Sequence, residues 1–204
     1  MKHQNVRSRL IDSAIKAISS YGMDKTTTKA IVEGTNINEG YIYSYFKGKE
    51  DLLAKMFDSL DVELSDTMLQ HMPVMYMTGM DMETRCRTYF FLIWQFLLGN
   101  RDKCLAYIRY FYSPYFIKNS ATIHKQRFSP VIEKFTPAFL EKADVWMLLN
   151  HILNVMFDFA VKVHNDEMSG SDKYSEHVFR VLYRSVEQYF IKEEVVTNDQ
   201  GKNY

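Results

Sequence analysis

Turn-forming residues are scarce in this chain, with 8 Gly and 4 Pro among 204 residues. Between those few breaks, apolar residues recur every three or four positions. That is the period of a buried helix face, not of a strand. The expected fold is all-α, with several long helices and a length sufficient for one large or two small domains. Hydrophobic residues make up 47% and charged residues 25%, a balance that excludes wholesale disorder. The longest apolar run, 89–98, is interrupted by Gln95 and falls short of the ~18 residues of a membrane span.

Lys2, Arg7 and Arg9 lead straight into an amphipathic pattern, without the apolar core of a signal peptide. Cys86 and Cys104 are too few for a disulfide framework and read as buried, inert thiols. A cytoplasmic location with no membrane association is the expectation.

Zero net charge conceals an asymmetry. Residues 1–50 hold eight Lys or Arg against five Asp or Glu, a net of +3, which leaves −3 for the remainder. A basic head on an acidic body suits a chain of which one end meets phosphate.

That head has a readable layout. A first helix is expected over about 5–21, with Leu10, Ile11, Ala14, Ile15 and Ile18 on one face and Gly22 ending it. Thr26 or Thr27 can cap a second short helix carrying Ala30 and Ile31 inward, with Val32 beside them. The turn over 34–38 needs a residue with positive φ, a role open to Asn36. Asn38 then caps a third helix of about two turns, with Ile42 and Phe46 inward and Tyr41, Ser44 and Tyr45 outward. Tyr43 falls between the faces. Helix, tight turn and a second short helix form the layout of a helix-turn-helix reader of duplex DNA.

The segment resembles the DNA-binding domain of TetR-family transcription regulators. Thr26, Thr27, Ile31, Gly40, Tyr43, Tyr45, Phe46, Lys47, Lys49, Glu50 and Leu52 stand in register with that pattern over about 45 residues. Two departures occur: Thr35-Asn36 replaces Ala-Gly in the turn, and Val32 replaces Ala. Neither removes a DNA contact. The resemblance implies that Thr28, Lys29, Tyr45 and Lys49 hold phosphates, with backbone amides assisting at the start of the fourth helix. It implies that Glu39, Gly40 and Tyr41 face the bases. Tyr43 is a DNA contact or a core residue.

Beyond the head, one long amphipathic helix is expected over 50–72 through Leu53, Met56, Phe57, Leu60, Leu64 and Met68, ended by Pro73. It enters the body without a linker. Further helices are expected over 82–99, 102–118, 121–142, 144–165 and 172–192, with Pro114, Pro130 and Pro137 kinking or shortening those that hold them. The domains are thus 1–49 for the helix-turn-helix, 50–194 for a larger ligand-binding and dimerisation domain, and 195–204 for a polar, frayed tail.

The aromatic density of 102–118 exceeds what one core stripe requires. Tyr107, Tyr110, Phe111 and Tyr115, with Tyr89, Trp94, Gln95 and His151, are candidates to line a cavity for an apolar or planar effector. A plain aromatic core is the other reading. Helix 144–165 carries a narrow polar stripe of Asn150, Asn154, Asp158 and Lys162 on an otherwise apolar cylinder, so it must bury two sides. Helix 172–192 has an apolar stripe of Val178, Phe179, Leu182, Val186, Tyr189 and Phe190. In TetR-like proteins the last two helices form a four-helix dimer interface, and this pair is expected to do so.

No paired carboxylates, activated nucleophile, phosphate-cradling glycine loop or metal-ligand spacing is visible. No catalytic residue, metal or cofactor is therefore expected. The functional expectation is a homodimeric, ligand-responsive regulator, a repressor acting on a palindromic operator in double-stranded DNA. The alternative is a helical carrier or enzyme whose first 50 residues do not bind DNA.

Overall fold

Gly22 decides how the chain leaves its first helix. In a computed structural model, which describes residues 2–191 and the side chains from residue 6 onward, α1 (Lys2–Lys25) is interrupted at Gly22 with φ of 77°. Only a residue without Cβ takes that conformation freely. The freed Gly22 carbonyl accepts from the buried Thr26 hydroxyl at 2.6 Å. Thr27 is the N-cap of α2 (Thr28–Val32), its Oγ1 accepting from the Ala30 N–H at 3.1 Å. Ser13 of α1 donates to the Ile31 carbonyl, fastening the two helices together.

The turn that follows corrects one expectation. Its left-handed residue is Gly34, with φ of 71°, and Asn36 has no positive φ. Since α2 stops at Val32 with Glu33 as its C-cap, the next position is the one a helix end gives to glycine. The N-cap of α3 (Gly40–Tyr45) is Glu39, one residue later than the Asn38 expected, and Asn38 accepts from the Gly40 N–H at 2.9 Å from the position before it. Leu10, Ala14 and Ile18 of α1 meet Ile31, Ile42 and Phe46 in the small core of the head.

From Gly48 the chain enters α4 (Lys49–His71), where Glu50 and Asp51 suit the helix dipole. The stripe of Leu53, Met56, Phe57, Leu60, Leu64 and Met68 is buried throughout. After α4 comes a single 3₁₀ turn, Met72–Tyr76, with Pro73 near its start. The body then comprises α5 (Met82–Gly99), α6 (Arg101–Phe111), α7 (Pro114–Asn119), α8 (Ala121–Phe135), α9 (Val145–His164) and α10 (Asp172–Val186).

Two helices differ from expectation because of proline. The segment 102–118 divides at Tyr112–Ser113, where Pro114 opens α7. The segment 121–142 stops at Phe135, since Pro137 leaves only a 3₁₀ turn, Thr136–Ala138. Pro130 is accommodated inside α8. Past α10 a 3₁₀ turn, Glu187–Tyr189, brings Phe190 opposite Phe139 in an isolated antiparallel bridge. Among the described residues there is no strand, and no helix is long and apolar enough to cross a membrane. The fold is all-α, a helix-turn-helix head joined to a larger helical body. The tail expected over 195–204 lies outside the described residues.

Head and body share packing through α1, which lies against both α4 and α6. Arg109 of α6 donates to the carbonyls of Ile18 and Ser19 at 2.6 Å each, and Ser19 donates to Asp102 at 2.7 Å. Those bonds hold the last full turn of α1 before Gly22.

Candidate nucleic-acid interface and apolar cavity

Six residues of α3 divide cleanly by face. Ile42 is fully buried, while Tyr41 is 48% and Tyr43 64% exposed. Tyr43 therefore lies outside the core. Phe46 packs inward, with the Arg7 guanidinium 5.4 Å from its ring centroid. Tyr45, expected to point outward, is half-buried and packs on the core. Its ring stacks on that of Tyr41 at 6.4 Å and 18°, so the two tyrosines orient each other.

Thr28 at the start of α2 donates its hydroxyl to Glu39 at the start of α3. This bond brings together a residue expected on phosphate and one expected on a base. Gly40 is exposed, and a Cβ there would approach Asn38 Oδ1 at 3.3 Å. Lys29 is exposed on α2, and Lys47 and Lys49 flank the Gly48 cap of α4. This end of the molecule presents ammonium groups, phenol hydroxyls and the free amides of a long helix start, the groups that neutralise and position phosphate.

The main cavity of the body lies between α5, α9 and α10 and has a volume of about 80 Å³. Each helix presents one face to it: Cys86, Tyr89, Phe90 and Ile93 from α5, then Leu149, Ile152, Leu153 and Met156 from α9, then Phe179, Leu182, Tyr183 and Val186 from α10. Met68, Met75, Phe135, Phe139, Val145 and Phe190 complete the wall. The Tyr89 hydroxyl is spent on the Met68 carbonyl at 3.0 Å. Burial pushes the Cys86 thiol up to about 12 and the Tyr89 hydroxyl upward from its usual range. Burial also leads for Tyr183, which is pushed up to about 12 with help from Cys86 and the acidic Glu83 and Glu187 nearby. All three are neutral near pH 7, so the wall carries no charge.

Of the eight residues expected to line a cavity, Tyr89 does so here. Trp94 is buried in the core, donating to Ser175 at 2.8 Å, and Gln95 is exposed on the outer side of α5. Tyr107, Tyr110 and Phe111 form an aromatic cluster with Phe57, Phe116 and Phe157, where Tyr107 lies flat on Phe157 at 4.8 Å and 4°. Their rings fill one another's space, which is why this aromatic density yields a packed core; Tyr107 borders only a minor crevice. Tyr115 is half-buried beside the same core. His151 is exposed and pairs with Ser185 at 3.0 Å.

A buried polar centre sits next to that cluster. Asp61 of α4 is 0% exposed and accepts from Tyr107 at 3.0 Å and Arg127 at 2.6 Å, with His124 Nδ1 2.8 Å away. Arg127 reaches on to Asp58. The sequence signal for it was an Asp at an inward position of α4.

The family profile described as "Bacterial regulatory proteins, tetR family" matches residues 10–56, which span α1, α2, α3 and the first turns of α4. Residues 10–56 thus form a tetR-type N-terminal domain. A curated relative, the uncharacterized HTH-type transcriptional regulator YhgD of Bacillus subtilis, is 31% identical over 55 residues, 27% of this chain and 29% of that protein. Solved structures extend the likeness of fold to the body. A TetR family transcription regulator from Marinobacter aquaeolei superposes with a TM-score of 0.72 at 14% identity, covering 91% of this chain and 98% of that one. FadR from Bacillus subtilis, solved with stearoyl-CoA, gives a TM-score of 0.65 at 17% identity over 86% and 96%.

The two final helices turn different residues outward from those expected. The apolar stripe of α10, Val178, Phe179, Leu182 and Val186, is buried in the chain's own core. The outer faces carry Met147, His151 and Asp158 on α9 and His177, Val181 and Arg184 on α10. Within the polar stripe of α9, Asn150 donates to the Trp146 carbonyl and Lys162 pairs with Asp158. Among the described residues no cluster of three or more metal-ligating side chains occurs.

Proposed function

We propose that this chain is a ligand-responsive, sequence-specific DNA-binding transcription regulator, a homodimeric repressor released by a small apolar effector. Residues 1–49 serve as the reading head and 50–194 as the effector and dimerisation body. The observation that carries the reading is the pairing of a tetR-type head with an uncharged cavity walled by α9 and α10. Thr28, Lys29, Tyr45 and Lys49 hold phosphates, while Glu39, Gly40 and Tyr41 face the bases, with Tyr43 beside them at the groove.

Two subunits joined through the outer faces of α9 and α10 set their α3 helices about 34–36 Å apart, one duplex turn, on a palindromic operator. The cavity, at about 80 Å³, is smaller than the roughly 300 Å³ of an ordinary ligand site. An effector must therefore spread the helices around it. Met68, Met75 and Met156 make that wall adaptable. FadR, with stearoyl-CoA bound, is a fold relative whose ligand carries a long apolar chain. Spreading α9 and α10 changes the spacing of the heads, and the effector shifts the dimer off DNA by no more than its differential affinity for the two arrangements.

The test is binding to an operator selected from random duplexes, compared with unselected duplex, at two or more salt concentrations. Lys49→Ala is expected to weaken both and to reduce the slope of log affinity against log salt by about one. An unchanged slope removes Lys49 from the phosphates. A wild-type chain indifferent to duplex at low salt, yet holding an apolar ligand, would favour the carrier reading.

A further inference from the structure

The wall of the cavity is helical except at one end. There, residues 139–140 and 190–191 cross as two short non-helical segments, each entered from a one-turn 3₁₀ helix. Two backbone bonds join them, Leu140 N–H to the Tyr189 carbonyl at 2.8 Å and Ile191 N–H to the Ala138 carbonyl at 3.0 Å. Between those bonds Phe139 and Phe190 face each other, their rings stacked at 4.6 Å and 29°. Both rings are buried, and both line the cavity.

Opening the cavity anywhere else means parting helices along interdigitated apolar faces. Opening it here breaks two hydrogen bonds and draws Phe190 off the rings of Phe139 and Tyr183, the latter stacked at 6.1 Å, without parting two helices. Elements of low local stability are the ones that move to admit ligands. We propose that this strap is the portal of the cavity, with Phe139 and Phe190 as its two leaves. Its ligand class is a slender, uncharged apolar chain or flat hydrocarbon, because neither the leaves nor the wall offers a partner for charge. The inference rests on the reading of this cavity as the effector site and adds the route and the shape of what enters.

The pairing pattern supplies the test. Phe139 and Phe190 occupy a non-hydrogen-bonded antiparallel pair, where Cα atoms approach most closely and a disulfide fits. The full chain carrying F139C and F190C is compared oxidised and reduced, with N-phenyl-1-naphthylamine as the neutral fluorescent probe followed by stopped flow. Cys86 lines the same cavity and packs against the cluster of Phe139 and Phe190, so Cys86→Ser is added in both states, while Cys104 is buried away from the strap. Locking the strap is expected to slow association and dissociation together by about tenfold or more, reversibly on reduction.

A second variant keeps both rings. Ile191→Pro deletes one strap donor at an exposed position, after a Phe190 whose φ of −75° and ψ of 148° suit a residue preceding proline. Probe exchange should then quicken about three- to tenfold, as loss of one hydrogen bond allows, with wild-type thermal stability in the head. Probe rates unaltered by both the lock and the proline overturn the portal while leaving the effector cavity standing. A wild-type chain that binds no probe overturns the cavity reading, and the portal with it.

Discussion

Thr28 and Glu39 show how a side chain's partner decides what it is free to do. With its hydroxyl donated to Glu39, Thr28 has no second proton for a phosphate, although its backbone amide at the start of α2 remains. Glu39 still has a free carboxylate oxygen to accept from a cytosine amino group, and Thr28 fixes where that oxygen points. Thr28→Val is therefore expected to cost operator binding more than random-duplex binding, by about 1 kcal/mol, with the salt slope unchanged. Titration of both duplexes by fluorescence anisotropy reads this directly. Equal losses on the two would place the hydroxyl on a phosphate instead. Neither the bond nor the exposure of Tyr43 could be seen in sequence, because both depend on the angle at which α2 and α3 meet. The left-handed turn residue was legible in principle: Gly34 stands two positions past the end of α2, and Asn36 drew the assignment only because that end was not fixed.

At the scale of elements, helical periodicity located the buried stripe of α4 and both ends of α5, since these rest on local pattern and on breaks at Pro73 and Gly99. The cavity was legible in part. On α5, α9 and α10 the lining residues fall at i, i+3, i+4 and i+7: 86, 89, 90 and 93; 149, 152, 153 and 156; 179, 182, 183 and 186. Three such faces announce that the helices converge. Whether they leave space depends on side-chain volume across the gap, which no single helix records. The same limit made the aromatic face of α6 resemble a pocket when its rings in fact fill the core. Asp61 ties α4, which leaves the head, to α6 and α8 through three neighbours. Asp61→Ala leaves Arg127 and His124 without their buried acceptor, and is expected to lower unfolding free energy by about 3–5 kcal/mol. Asp58→Ala, at the exposed end of the same network, should cost within about 1 kcal/mol. Urea denaturation of both variants separates a buried anchor from a surface pair, and similar midpoints would show that Asp61 reaches water.

Across the whole molecule, burial keeps the thiols and phenols of the body's interior uncharged. Burial holds the thiols of Cys86 and Cys104 up at about 12 and the Tyr183 hydroxyl likewise, and it raises Tyr89 and Tyr107 as well. In the unfolded chain these groups release protons near their ordinary values of 9.0 for Cys and 10.0 for Tyr. Between those values and the folded ones, the unfolded state binds fewer protons than the folded state, so stability falls as pH rises. Their stabilising contribution is complete below pH 9, declines above it, and is gone for the thiols and Tyr183 once pH passes about 12. Thermal unfolding followed from pH 7 to 11 should therefore show a midpoint insensitive to these groups up to about 9 and a progressive fall beyond it. A saturating neutral ligand in the cavity binds the folded state alone and should raise the midpoint at every pH. It should also deepen the burial of Cys86 and Tyr183, which steepens the alkaline fall. A midpoint level to pH 11 would mean that water already reaches the cavity wall, and a wall open to water would not select an uncharged effector.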